Sequence, residues 1–208
     1  MIGQNLFLYL LFSGNWETSK TNYSTCFISK QQSYELVWSD EFDYEGRPDS
    51  TKWHYENGFV RNYEDQWYQK ENAGCKDGYL IITGKKEHKP NPNYKVKSSN
   101  WKTKRKVFEY TSASVAINKQ HAFQFGRLEV KAKIDAQESL WPAIWILDVS
   151  GQWPSNREVD IMEYYDDKIL ANFAPADSLK HKAIWDSEKI PFNNFGGKNG
   201  QRNFMFGD

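Results

Sequence analysis

The chain has 208 residues, enough for one domain with a substantial core. Its 27 basic and 27 acidic residues cancel, so no basic field marks it for nucleic acid or an anionic membrane surface. Aromatic residues make up 16% of the chain while hydrophobic residues total only 39%, a profile shared by carbohydrate-binding clefts and aromatic-rich sandwich cores.

Taken from the N-terminus, Met1-Ile-Gly-Gln-Asn-Leu-Phe-Leu-Tyr-Leu-Leu-Phe-Ser-Gly14 holds an apolar run of signal-peptide length. No Lys or Arg precedes it, and it is too short to span a bilayer. Residues 15–33 are polar and irregular. Residues 1–33 are therefore expected to be a leader and linker with a degenerate signal peptide, and residues 34–208 a single domain. Export to the medium, periplasm or cell surface is expected. Strand-like segments then recur at Glu35–Trp38, Trp67–Gln69, Tyr79–Lys85, Thr111–Ile117, Gly126–Ile134, Ala143–Leu147, Glu158–Tyr164 and Ile169–Phe173. Turn chemistry separates them at Asp77-Gly78, Pro90-Asn-Pro92-Asn93 and Ser150-Gly151. No stretch keeps a helical period with caps. Many short strands in one domain indicate an all-β sandwich or barrel.

Other chemistries find little support. The four histidines lie far apart without metal-ligand spacing. There is no Gly-rich phosphate loop and no Gly-x-Ser-x-Gly elbow. Cys26 and Cys75 are the only cysteines, and two do not define a disulfide framework. Cys75, in the turn-like run Asn72-Ala-Gly-Cys-Lys-Asp-Gly78, is expected to be a free thiol; a Cys26–Cys75 bridge would require export. Lys85-Lys86, Lys95-Val-Lys97 and Lys102-Thr-Lys-Arg-Lys106 make a local basic stretch, which reads first as solvated loop and second as a contact for a polyanionic substrate.

The most informative segment is Trp153-Pro-Ser-Asn-Arg-Glu158-Val-Asp160-Ile-Met-Glu163-Tyr-Tyr165. Side chains alternate along a strand, so Glu158 and Asp160 share a face. Glu163 is five residues after Glu158 and would fall on the wrong side of a regular strand. One extra residue, a β-bulge near Ile161 or Met162, restores it. Two carboxyls would then reach the ~5–5.5 Å separation at which retaining glycosidases hold a nucleophile and an acid/base. Asp160, between them, can hydrogen-bond one carboxyl and help hold the proton on the other. Acid strings most often face water, but like charges on one strand face repel and give a purely structural strand nothing. Here they sit among Val159, Ile161, Met162, Tyr164 and Tyr165. Trp141, Trp145 and Trp153 precede them. Trp141 and Trp145 are four apart, on one face if extended. They read either as core or as a platform for the C–H face of a pyranose.

Glu-Val-Asp-Ile-Met-Glu, preceded by Trp153-Pro-Ser-Asn156 and Leu140-Trp-Pro-Ala-Ile-Trp145, resembles glycoside hydrolase family 16, the laminarinases, lichenases, agarases and their relatives. Val37-Trp-Ser-Asp-Glu-Phe42 resembles that family's opening strand. The resemblance continues through Asn62–Asn72, Asp77–Ile82, Tyr110–Ser114 and Phe125–Lys133, and runs from about residue 35 to about residue 197. The six-residue acid motif is similar to the bulged form found in laminarinases and red-algal galactanases. The resemblance implies a concanavalin A-like β-jelly-roll sandwich of two curved antiparallel sheets. It implies an endo-acting retaining β-glycanase with Glu158 as nucleophile, Glu163 as acid/base and Asp160 as assistant. Trp141, Trp145 and Trp153 are implied as stacking residues, and Asn62 as a polar contact to substrate. β-1,3-Glucan and mixed-linkage β-glucan come first as substrates. Sulfated galactans come next, because Arg157 and the basic loop suit them. No cofactor enters this chemistry. The family is known for a structural calcium ion, but no ligand cluster in the sequence places one. The expected partner is a polysaccharide, with neither nucleic acid nor an integral membrane segment, and the chain is expected to be a monomer. The competing reading is a non-catalytic carbohydrate-binding relic.

Two positions depart from the family's pattern. Arg157 stands where the family usually has Gly. Where many members carry His on the strand after the acids, this chain reads Leu170-Ala-Asn172-Phe-Ala174. A jelly roll of this family also needs strands after about residue 197, so truncation at the C-terminus is expected. Back-translation of residues 199–208 into a shifted frame can yield Trp-Ala-Glu-Lys-Phe-His-Val-Trp-Arg, which resembles the family's next strand and suggests a frameshift.

Overall fold

The computed structural model describes residues 2–13, 34–137, 139–177, 182–195 and 201–205. Its strands are β1 (Ile2–Ser13), β2 (Tyr34–Asp40), β3 (Trp53–Tyr55), β4 (Gln66–Tyr68), β5 (Ala73–Lys76), β6 (Tyr79–Pro90), β7 (Val107–Ser112), β8 (Val115–Ile117) and β9 (Arg127–Lys133). They continue with β10 (Ala143–Leu147), β11 (Glu158–Tyr165), β12 (Lys168–Ala174), β13 (Ala176–Asp177), β14 (Lys182–Ala183), β15 (Asp186–Pro191) and β16 (Gln201–Met205). The one α-helix among the described residues is α1 (Trp101–Lys104), capped by the Asn100 side chain. The protein is thus all-β, a jelly-roll sandwich of curved sheets.

One sheet runs β16-β9-β1-β6-β7-β4, with β2 added on β1 and β5 on β6. The second runs β10-β11-β12-β15. Pairing is antiparallel throughout except between β4 and β7. The segment expected to be a leader therefore contributes a strand, with β1 pairing β2, β6 and β9. An apolar run of this length is equally a leader and a strand by composition, and periodicity alone does not separate them. The expected Thr111–Ile117 strand is two, because β7 pairs within the large sheet while β8 turns away to pair β3. Cys75 lies in a strand, not in a turn. It is paired with Leu80 on β6, 2% exposed, and a free thiol as expected. The turn follows at Asp77-Gly78, both at positive φ (52° and 73°), the two-residue hairpin geometry that Asp-Gly favours. Cys26 lies outside the described residues.

The core joins the two sheets. Leu80, Cys75, Leu128, Val130 and Ala132 of the large sheet pack with Phe42, Trp53 and the inward face of β11 at Ile161, flanked by Ile144 and Ile146 of β10. Burial of each large apolar side chain there contributes roughly 1.5–3 kcal/mol. Met162, Tyr164 and Ile169 form a neighbouring cluster. With these residues turned inward, the opposite face of β10, β11 and β12 carries the acids.

Candidate active site

The acids owe their common face to the expected bulge. Trp145 pairs with Asp160 and Ile144 with Met162, so β11 has one residue too many against β10 and Ile161 is left unpaired there. On the other side Asp160 pairs with Asn172 and Glu163 with Leu170, again one residue too many on β11. Ile161 and Met162 are 4% and 0% exposed, which sends both into the interior and returns Glu163 to the face of Glu158 and Asp160.

Each carboxyl then meets a different neighbourhood. The Trp153 indole Nε1 donates to Glu158 Oε2 at 2.6 Å. The Trp141 Nε1 donates to Glu163 Oε1 at 3.2 Å. Asn172 Nδ2 donates to Asp160 Oδ2 at 2.8 Å and to Glu163 Oε2 at 3.0 Å. Burial raises the proton affinity of all three acids. Glu163 is pushed up to about 7, by burial first and by the charge of Asp160 second. Glu158 is raised by burial and by the Asp160 charge, against the opposing Trp153 hydrogen bond and the Arg61 charge. Asp160 is raised by burial, against its hydrogen bonds to Asn172 and Glu158. One acid thus stays protonated near neutral pH beside partners whose charge keeps it so, the arrangement of an acid/base with its nucleophile.

The tryptophans divide. Trp141 and Trp153 are 52% and 53% exposed, so half of each indole is free while its N–H anchors a carboxylate. Tyr165 lies beside Trp141, with ring centroids 5.7 Å apart. Trp145 is less open, with the Arg61 guanidinium carbon over its ring at 5.1 Å from the centroid. Arg61 also lies over Tyr68 and pairs with Glu56, which in turn accepts from Ser114 Oγ. Asn62 follows Arg61 on an exposed turn closed by Glu64 N–H to the Arg61 carbonyl, with a left-handed φ of 52°. The loop therefore brings Arg61 onto Trp145 and leaves the Asn62 side chain facing solvent. Arg157, immediately before Glu158, has a φ of 50°, the region glycine favours, which gives a physical reason for the family's usual Gly at this position.

Sequence reasoning missed two residues here. Asn172 was visible as a departure from a pattern, though nothing in the sequence placed its amide between two carboxyls. Arg61 carries no local signal, since its contact with Trp145 joins distant segments. Among the described residues no group of three or more His, Cys, Asp or Glu is placed to hold a metal ion.

A jelly roll with paired, separately tuned carboxyls between exposed indoles is the architecture of a glycoside hydrolase. The family model for the XgeA-like catalytic glycoside hydrolase family 16 domain matches residues 42–176. The chain belongs to glycoside hydrolase family 16. It is 39% identical over 145 residues to a β-glucanase of Rhodothermus marinus, a match spanning 65% of this chain and 45% of that protein. A solved structure from work on endo-acting O-glycanases of the human gut microbiota, which initiate mucin breakdown, aligns with a TM-score of 0.72 at 33% identity, over 81% of this chain and 63% of that one. The laminarinase catalytic domain of Thermotoga maritima aligns with a TM-score of 0.63 at 26% identity, over 82% and 68% of the two chains. The chain spans about half the length of the R. marinus relative, 45%.

Proposed function

We propose that this site hydrolyses internal β-glycosidic bonds of a polysaccharide with retention of anomeric configuration. The observation that carries this is the pairing of Glu158 and Glu163 across the bulge, with Glu163 held protonated to about pH 7. In the first step Glu158 attacks the anomeric carbon while the Glu163 proton passes to the departing glycosidic oxygen. The C–O bond breaks and a glycosyl ester forms on Glu158. In the second step Glu163, now ionised, takes a proton from water, whose oxygen displaces the ester and frees Glu158. Trp153 and Trp141 hold the two carboxyls in place through their N–H groups and offer their exposed faces to sugar rings.

β-1,3-Glucan or mixed-linkage β-glucan is the proposed substrate class, supported by the β-glucanase and laminarinase relatives. A polymer of this kind fits an exported enzyme acting as a monomer without a cofactor. The carbohydrate-binding relic is not favoured, because binding alone gives no reason for a carboxyl tuned to about 7 beside a second acid. The test is reducing-end release from laminarin, mixed-linkage glucan and a mucin-type glycan, with the anomer of the first product followed by NMR. Release of the β-anomer from a glucan is expected. An α-anomer overturns the mechanism, release from the mucin glycan alone overturns the substrate class, and no release from any of the three overturns the enzymatic reading.

A further inference from the structure

Asn172 stands opposite Asp160 in the β11–β12 ladder, and the bulge brings Glu163 back within reach of the same side chain. An amide NH2 has two hydrogens. Both are committed, one to Asp160 Oδ2 and one to Glu163 Oε2. Asn172 is 7% exposed, and its Oδ1 is buried without a hydrogen-bond partner. Turning the amide over would not relieve that orphan cheaply. It would set Oδ1 against the Asp160 carboxylate and withdraw the N–H that favours charge there. Asp160 therefore holds the amide in this orientation, at the cost of one unsatisfied carbonyl.

We propose that Asn172 is a positioning residue that ties the Glu163 carboxyl to Asp160 and holds it aimed for proton transfer. Both Glu163 oxygens accept an N–H, Oε2 from Asn172 and Oε1 from Trp141. Oε1 lies on the side of the half-exposed Trp141, where a glycosidic oxygen can approach. The second N–H holds negative charge on Asp160, and that charge keeps the proton on Glu163. One amide thus holds the two carboxyls in a fixed relation to each other. The inference rests on the reading of Glu163 as acid/base.

The test uses the full chain with Asn172→Leu, which removes the amide at similar volume, and Asn172→Ala, which removes it without introducing a new charge. Aryl β-glycosides with a poor leaving group need the acid proton, whereas dinitrophenyl glycosides leave without it. Each variant should lose about 10-fold or more on the former, within the range general acid catalysis supplies, and under about threefold on the latter. In parallel, a carboxyl 13C NMR titration should place the Glu163 midpoint about one unit higher in Asn172→Leu than in the parent chain, because an N–H donated to a carboxylate favours the charged form. Equal losses on both substrates, or no loss on either, overturn the proposal. If the parent chain cleaves neither substrate, the enzymatic reading fails and the titration still decides Asn172: an unmoved Glu163 midpoint refutes its role. Circular dichroism of both variants identifies a folding failure, and Asn172→Ala carries the test if Asn172→Leu does not fold.

Discussion

Glu163 should make the protein less stable as the pH rises from acid to neutral, and Glu163→Gln should remove that loss. Its carboxyl is raised from 4.5 to about 7 by burial and by the charge of Asp160. A carboxyl whose folded pKa is raised contributes stability that is present below its unfolded pKa and is lost as pH rises through the folded one. The loss therefore falls between about pH 4.5 and pH 7. At about 1.4 kcal/mol per pH unit, a rise of roughly 2.5 units amounts to ~3 kcal/mol. Glutamine keeps the shape and carries no charge. It can accept only one of the two N–H groups that Trp141 and Asn172 donate, a loss of about 1 kcal/mol at every pH. Glu163→Gln should thus be slightly less stable than the parent at pH 4 and about 2 kcal/mol more stable at pH 8. Urea denaturation at both pH values measures this. The change in the mutational effect between the two, about 3 kcal/mol, cancels every contribution that does not depend on pH. An effect equal at pH 4 and pH 8 would mean that Glu163 titrates as an ordinary surface carboxyl, and the acid/base assignment would lose its physical basis.

Other outcomes follow from the same geometry. Glu158→Gln should abolish turnover with an unchanged circular dichroism spectrum, while Glu163→Ala should accept azide and release a β-glycosyl azide; an α-azide would contradict retention. Trp141→Phe removes an N–H donated to Glu163 and should move the alkaline limb of kcat/KM to higher pH, and Trp153→Phe should likewise raise the acid limb through Glu158. Trp141→Ala and Trp153→Ala should weaken substrate binding by roughly 1–3 kcal/mol with little change in Tm, since each indole is half exposed; a drop in Tm with an unchanged KM would make them structural. Arg157→Gly relieves a left-handed φ worth about 1 kcal/mol but frees the unfolded chain by a similar amount, so the melt should move by less than about 0.5 kcal/mol; a loss above ~2 kcal/mol would show that the Arg157 side chain holds the site.

The legible parts of this molecule were those written in local periodicity. Acids spaced two and then three apart, among apolar residues, required an extra residue on β11, and the ladder has it at Ile161–Met162. Asp77-Gly78 announced its hairpin because only a few residues accept two positive φ values in succession. β1 and β5 were not legible. The first has the composition of a leader, and the second is Ala-Gly-Cys-Lys, which alternates in burial but not in hydrophobicity. Nor were Arg61 over Trp145 and Asn172 between two carboxyls, because each joins segments that only the closed sheets bring together.

The bulge links what was legible to what was not. Without Met162, the ladder would be regular on both sides: Ile161 would oppose Ile144 and Ala171, and Glu163 would still oppose Ala143 and Leu170. The extra residue is therefore not needed to close the sheet. It adds a side chain that is 0% exposed to the cluster of Tyr164 and Ile169, where burial contributes roughly 1.5–3 kcal/mol. On the opposite face the strand bends, and bulges re-aim side chains next to active sites. The amide of Asn172 then spans from Asp160 to Glu163, so a single donor group couples the two acids. Packing on one face of β11 and the placement of the carboxyls on the other are thus two consequences of the same inserted residue. A strand that gains core on its inner side can hold three mutually repelling acids on its outer side.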